Sequence, residues 1–244
     1  MPCKLCLQDK PLLKKSHIFP NFMYRGLFDD KHILYKINLQ NLSQSQRLSS
    51  SEYESDILCE ECDNKIIGCY ENYASKFIYG GHKDIYFENR ENKHGIKMTY
   101  CKGVDYAKFK LFLLSFLWRA SISQRIFFKY VDLGQYQELI RQMLINNNPK
   151  DPMDFPCLIS TYKSIRDLPS EIVGQPIKYR SNNILGYTFL IGGFIYIFFV
   201  SNKNKPAWLS EIIISKNNEM SIVHLDRNNA KNIINHFFQI EMVK

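Results

Sequence analysis

The sequence predicts an α+β protein in which an N-terminal metal-binding module precedes a larger α+β domain with an antiparallel sheet. Three observations predict it: two C-x2-C pairs in the first 62 residues, apolar helical stretches in the middle of the chain, and a Gly-Gly hairpin signal between two apolar strands. The 244 residues, 45% of them apolar, suffice for one ordinary domain or two small ones. With 14% aromatic residues and a formal charge of +8, disordered, collagen-like and acidic-tail classes are excluded. The apolar run Leu111 to Trp118, between Lys110 and Arg119, is far shorter than the roughly 20 residues that span a bilayer, and no membrane segment is expected. The opening MPCKLCLQDK has no apolar signal core, and the expected compartment is the cytoplasm, with cysteines reduced.

Seven cysteines are an odd number, which disfavours a disulfide framework. Cys3 with Cys6 and Cys59 with Cys62 form the two pairs, and each can turn two thiolates toward one tetrahedral Zn2+ at about 2.3 Å. Together they complete a four-sulfur site for a structural zinc. Cys69, Cys101 and Cys157 stand apart. Neither pair follows the strand of a βαβ pattern, so a redox C-x-x-C is disfavoured.

Between the pairs, Leu12 to Pro20 is a short extended segment that Pro20 stops, with His17 just before the breaker. Asn21 to Phe28 suits a helical turn, and His32 to Leu39 alternates like a strand. The polar run NLSQSQRLSSSEYES is a loop or loose hairpin tip. Ile66, Ile67, Tyr70, Tyr73, Ala74 and Phe77 recur at helical spacing after the second pair, and Gly80-Gly81 supplies the stop. The module therefore spans 1–81, and 82–103 is a connection or hairpin. In the domain 104–244, Val104 to Ser123 is a buried helix and Leu133 to Ile145 a second one capped by Asp132. Phe155 to Tyr162, Ile184 to Ile191, Phe194 to Val200, Glu211 to Ile214 and Met220 to His224 are expected strands, with Gly192-Gly193 as a hairpin turn. Asn228 to Phe238 is a last helix. No Gly-rich phosphate loop, G-x-S-x-G motif or repeat is present.

The order C-x2-C, then Ser16-His17-Ile18-Phe19-Pro20, then Leu58-Cys59-x2-Cys62-Asp63-Asn64-Lys65 resembles the zinc-stabilised branch of the HNH, or His-Me finger, endonucleases over Cys3 to Tyr79. The resemblance implies a treble-clef, ββα zinc finger in which a histidine ending the first strand faces a divalent metal held partly by the helix. It implies His17 as catalytic base, with Asp63 and Asn64 contributing to a Mg2+ or Mn2+ site. Ser16 stands where that family has Asp or His as a ligand. Glu54-Ser55-Asp56 replaces its middle asparagine, with Asp56 or Glu54 as substitute oxygen donors. Glu71 is either a further ligand or a structural partner for a cation. The chemistry is coherent, because phosphodiester hydrolysis needs a base near neutral pH, which histidine is, and a cation for the charge developing on phosphate.

Residues 1–80 carry 10 Lys+Arg and 10 Asp+Glu, a balance of 10 − 10 = 0, while residues 81–244 carry 22 − 14 = +8. Phosphate contacts are therefore expected mainly from Lys108, Lys110, Arg119, Arg125, Lys203 and Lys205, with Lys14 and Lys15 helping beside His17. His32, His82, His94, His224 and His236 have no comparable setting. The resulting expectation is a metal-dependent endonuclease acting on nucleic acid, DNA before RNA, in a setting such as phage defence or a mobile element, with a protein partner able to supply recognition. The alternative is a non-catalytic zinc-finger module that binds nucleic acid or protein.

Overall fold

The computed structural model describes residues 1–27, 34–36, 46–48, 52–181, 184–201 and 205–239. In the N-terminal part, β1 (Ser16–His17) pairs antiparallel with β4 (Tyr53–Glu54), opposing Ser16 to Glu54 and His17 to Tyr53. β2 (Leu34–Lys36) and β3 (Gln46–Leu48) form a second short antiparallel pair. The rest of the His32–Leu39 strand, Phe28 and most of the polar run after it lie outside the described residues. A single turn of 3-10 helix, Asn21–Tyr24, follows Pro20.

The helix after the second cysteine pair begins as a π-helix, Glu61–Ile67, and continues as α1 (Gly68–Ile78). The wide turn is closed by the Gly68 N–H, which donates to the Asp63 carbonyl five residues back. Such π turns occur often at functional sites. α1 ends in a Schellman motif. Gly80 takes φ +77°, the Gly81 N–H reaches the Lys76 carbonyl at 2.6 Å, and that of Gly80 reaches Phe77 at 3.5 Å.

The remaining strands are β5 (Tyr86–Glu91), β6 (Lys97–Lys102), β7 (Cys157–Thr161), β8 (Val173–Ser181), β9 (Ile184–Ile191), β10 (Phe194–Phe199) and β11 (Glu219–His224). They form one 7-stranded sheet in the order β5-β6-β11-β7-β10-β9-β8. The sheet is mixed, which corrects the expectation of an antiparallel one, because β11 lies parallel to β7 through Val223↔Ser160 and His224↔Thr161. Hairpin signals report only neighbours in sequence. β11 instead re-enters from a distant segment, between β6 and β7. The 82–103 segment supplies the β5–β6 hairpin that carries the sheet outward.

The glycine pair turns β9 into β10 as expected. Gly192 and Gly193 have φ +59° and +75°, and Ile191 faces Phe194, the backbone of a type I′ turn. β8 has no counterpart in the sequence reading because Gly174 and Pro176 interrupt its pattern. It survives as an edge strand with a register shift between Gly174 and Ile177, where a proline is tolerated. The expected Glu211–Ile214 strand does not form: Glu211 ends a 3-10 turn, Ala207–Glu211, entered from Pro206, and Ile212–Ile214 follow it as a turn and irregular chain.

α2 (Tyr106–Ile122) is capped by the Asp105 side chain, which accepts from the Lys108 N–H at 2.9 Å. α3 (Tyr136–Ile145) starts later than expected, and Asp132 does not cap it. The Asp132 carboxylate accepts from the Gly134 N–H and so closes a turn before the helix. α4 (Arg227–Gln239) packs on β8.

α2 is buried on nearly all sides, and Phe116 is its hub. The Phe116 ring centroid lies 5.3 Å from Phe198, 5.5 Å from Phe189, 5.5 Å from Tyr196 and 5.9 Å from Phe19, at steep angles throughout. Edge-to-face pairs of this kind add about 0.5–1.5 kcal/mol each beyond burial. Phe19, two residues after His17, is wholly buried here and also meets Phe128 at 5.1 Å. The segment that presents His17 is thus anchored in the central core. Among the described residues no helix is long and apolar enough to cross a membrane.

Candidate metal centre and the histidine beside it

The first cysteine pair sits on a tight knuckle. The Leu7 N–H donates to the Cys3 carbonyl at 2.8 Å, the Cys3 N–H donates to Gln8 at 3.0 Å, and Leu7 adopts φ +61°. Backbone bonds from Lys4 to Ile57 and from Leu13 to Leu58, with a bridge from Leu12 to Cys59, bring the knuckle against the start of the helix. The four sulfurs of Cys3, Cys6, Cys59 and Cys62 converge there, all within 4.8 Å of one another. Those of Cys6 and Cys59 are 3.9 Å apart, close to the roughly 3.8 Å edge of a ZnS4 tetrahedron with 2.3 Å bonds. The Cys59 N–H donates to the Cys3 sulfur at 3.3 Å. The donor set can hold a metal ion such as zinc.

Electrostatics within the cluster are uneven. Burial works against the Cys3 thiolate, yet the backbone N–H groups of Cys6, Cys59 and Leu5 outweigh it and bring that thiol down to about 7. Burial pushes Cys59 and Cys62 up. Four thiols crowded this way favour a cation that replaces their protons. Lys10 pairs with Glu61 at 2.6 Å on the rim, and Arg141 donates to the Leu5 carbonyl.

His17 ends β1, half-buried. Burial lowers its pKa, Glu71 opposes that, and Arg119 and Lys15 add to it. Asp63, on the π turn, is also half-buried, and burial raises its carboxyl pKa, Arg119 opposes this and Glu71 adds to it. The wholly buried Ser16 hydroxyl makes no hydrogen bond of normal geometry, but it lies near enough to Asp63 to favour the carboxylate. Positions 16 and 63 therefore meet, while Asn64 is exposed.

Arg119 organises the surroundings, and this role was not visible in the sequence. Reaching from α2 and only 1% exposed, it donates from Nη1 to the His17 carbonyl at 2.5 Å and from Nη2 to Glu71 Oε1 at 2.5 Å. Its Nε reaches the Ser115 carbonyl at 3.3 Å. The available signal was an arginine closing an apolar run in a helix expected to be buried on more than one side. Glu71 is thus a structural ion-pair partner. Glu54 accepts from Ser123 Oγ at 2.5 Å and the Gln124 N–H at 3.1 Å, and Asp56 pairs with Lys14 at 3.0 Å. Both substitute oxygen donors are therefore already engaged. Among the described residues, the cysteines are the one group of three or more His, Cys, Asp or Glu residues whose ligand atoms all lie within 4.8 Å of one another.

The expected phosphate contacts divide. Arg119 and Lys110 are buried, which removes them as surface cations. Lys108 pairs with Asp105, Lys205 donates to the Met153 carbonyl, and Lys203 lies outside the described residues. Lys15 and Arg125 flank the Tyr53 ring, each 5.2 Å from its centroid, and Tyr53 is the partner of His17 across the strand pair. Lys14 is exposed in its pair with Asp56. No protein-family model, curated protein or solved structure matches the chain.

Proposed function

We propose that the chain is a metal-dependent endonuclease of HNH type that hydrolyses phosphodiester bonds in nucleic acid, DNA before RNA. The observation that carries the proposal is the pairing of Ser16–His17 with Tyr53–Glu54 between two cysteine pairs whose sulfurs converge. Knuckle, hairpin and helix in that order make a treble-clef finger on a structural Zn2+, with His17 at a strand end beside the helix that carries Asp63. His17 is the general base that takes a proton from water. Arg119 holds the His17 backbone, and Lys15 and Arg125 on Tyr53 meet flanking phosphates. Asp63, with the amide of Asn64, is the donor set for Mg2+ or Mn2+. One carboxylate fits, because Mg2+ keeps several waters and takes remaining ligands from substrate phosphate. Bound there, the cation neutralises charge on the scissile phosphate.

The test is cleavage of plasmid DNA and of RNA with Mg2+ or Mn2+. His17→Ala should lower the rate by roughly 10²- to 10⁴-fold while zinc content and melting temperature stay unchanged. A second reading, a non-catalytic zinc-finger module, is favoured by the engagement of Glu71 and of the His17 carbonyl by Arg119. Wild-type protein that binds a nucleic acid or protein partner but cleaves neither substrate with either metal would establish that reading instead.

A further inference from the structure

A cleft distinct from the cysteine cluster opens where the Asn21–Tyr24 turn, the end of α1 and the β9–β10 hairpin meet. Two neighbouring cavities, of about 190 Å³ and about 180 Å³, lie there and share Ile78, Phe194 and Tyr196 in their walls. One is apolar, walled by Phe77, Phe87 and Phe109; the rings of Phe77 and Phe87 stack at 5.9 Å and 12°. The other is lined by two cations, Arg25 and Lys163, and by Glu171. Each is smaller than the usual small-molecule pocket of about 300–1,000 Å³, so a ligand of nucleotide size has to occupy both.

Among the described residues, three polar groups of this cleft have neither an ion-pair nor a hydrogen-bond partner for their side chains. The Arg25 guanidinium lies 4.8 Å from the centroid of Tyr79 and the Lys163 ammonium 5.3 Å from that of Phe194, and among the described residues neither is ion-paired. Tyr196, 3% exposed, lines both cavities, and among the described residues its hydroxyl has no hydrogen-bond partner. The hairpin makes room for one of the cations, since a Cβ at Gly193 would stand 2.5 Å from Lys163 Cγ.

We infer that this cleft binds a nucleoside monophosphate, with the base in the aromatic cavity and the phosphate between Arg25 and Lys163. A dianionic phosphate matches two cations that have no ion-pair partner among the described residues. A planar base matches stacked aromatic walls, where base–aromatic contacts are worth having in any sequence context. Sugar hydroxyls and exocyclic amines supply a partner for the Tyr196 hydroxyl and a further donor for Glu171, which already accepts from Ser170 Oγ at 2.7 Å. An inorganic anion would leave the aromatic cavity empty, and a fatty acid chain would leave the Tyr196 hydroxyl without a partner. The inference involves neither His17 nor the cysteines and stands apart from the endonuclease reading.

Calorimetric titration of the full chain with AMP, GMP, CMP, UMP, adenosine and inorganic phosphate tests it. At least one nucleotide should bind saturably at one site, with nucleoside and phosphate each weaker by roughly tenfold or more. The variant carrying Arg25→Ala and Lys163→Ala, both at exposed positions, should weaken nucleotide binding by roughly tenfold at unchanged melting temperature. Tyr196→Phe should weaken nucleotide binding several-fold and leave phosphate binding alone. Absence of saturable binding of all four nucleotides at millimolar concentration, phosphate binding as tightly as the nucleotide, or unchanged affinity in the folded double variant would each overturn the inference.

Discussion

The cysteine module and the seven-stranded sheet become ordered by different means. In the module, β1 and β4 are 2 residues long, and the pairing that brackets His17 lies beside four converging sulfurs. In the sheet, strands reach 9 residues and close on a single helix through an aromatic cluster centred on Phe116. A two-residue strand pair has too little apolar surface to order itself, so the module borrows stability twice: from the sulfur cluster at one end and from Phe19, which leaves it to join the sheet's core, at the other. The candidate chemistry thus sits in the part of the molecule with the short strand pairs and the cysteine cluster.

The largest effect that separates the two regions should come from Cys59→Ser. Structural zinc sites supply roughly 10–16 kcal/mol of apparent binding energy in finger peptides, and that energy is folding energy. Elemental analysis should fall from about one zinc per chain to none. Hydrogen exchange should show residues 1–20 and 52–67 opening while 104–122 and 184–199 remain protected. Chelation of wild-type protein should reproduce this pattern, and Cys69→Ser, at an exposed cysteine outside the cluster, should not. Retained zinc, or collapse of both regions in a single transition, would erase the distinction.

Next in size is the joint between the regions. Removing one member of a buried ion pair costs about 3–5 kcal/mol, because the partner is left uncompensated. The Arg119 side chain is 2% exposed and that of Glu71 24%, so Arg119→Met should approach that range and Glu71→Gln should cost less. The double variant should recover part of the loss, which chemical denaturation can measure as a coupling energy. Full additivity of the two changes would mean that Arg119 acts on the His17 carbonyl alone.

How much of this could be read from the chain depends on how local each feature is. Cysteine spacing, the breaker Pro20 after His17 and the glycine pair at 192 and 193 impose geometry within a few residues, and the structure carries all three. The meeting of Ser16 with Asp63 follows from the same local motifs. What escaped is non-local. β11 enters between strands that precede it by tens of residues, β8 hides behind Gly174 and Pro176, and the aromatic cleft is assembled from segments no motif links. Arg119 escaped for another reason. Composition marks it as a surface cation, and only packing reveals that a basic residue at the end of an apolar run is a buried strut. Asp132 shows the reverse error, a capping residue type whose local turn wins over the helix that follows.

The smallest effect concerns a second buried cation on α2. Arg119 faces the module and pairs with Glu71. Lys110, 3% exposed, donates to the Tyr106 hydroxyl at 3.2 Å and to the Asp151 carbonyl, both neutral acceptors. Burial brings its pKa from 10.5 down to about 7, with Asp154 and Asp151 opposing and Lys205 and Lys216 adding to the drop. The unfolded chain therefore binds more protons between about pH 7 and pH 10.5, and stability rises with pH through that window. The contribution is fully present above the window and is lost as pH falls toward 7. A shift of that size would amount to about 5 kcal/mol undamped, and relaxation of the site should leave about 2 kcal/mol. Lys110→Met should flatten the wild-type slope of stability between pH 7 and pH 10 by that amount, measured by denaturation at fixed ionic strength. Identical slopes in the two proteins would mean that Lys110 stays charged when folded, and that both regions hold their buried cations in the same way.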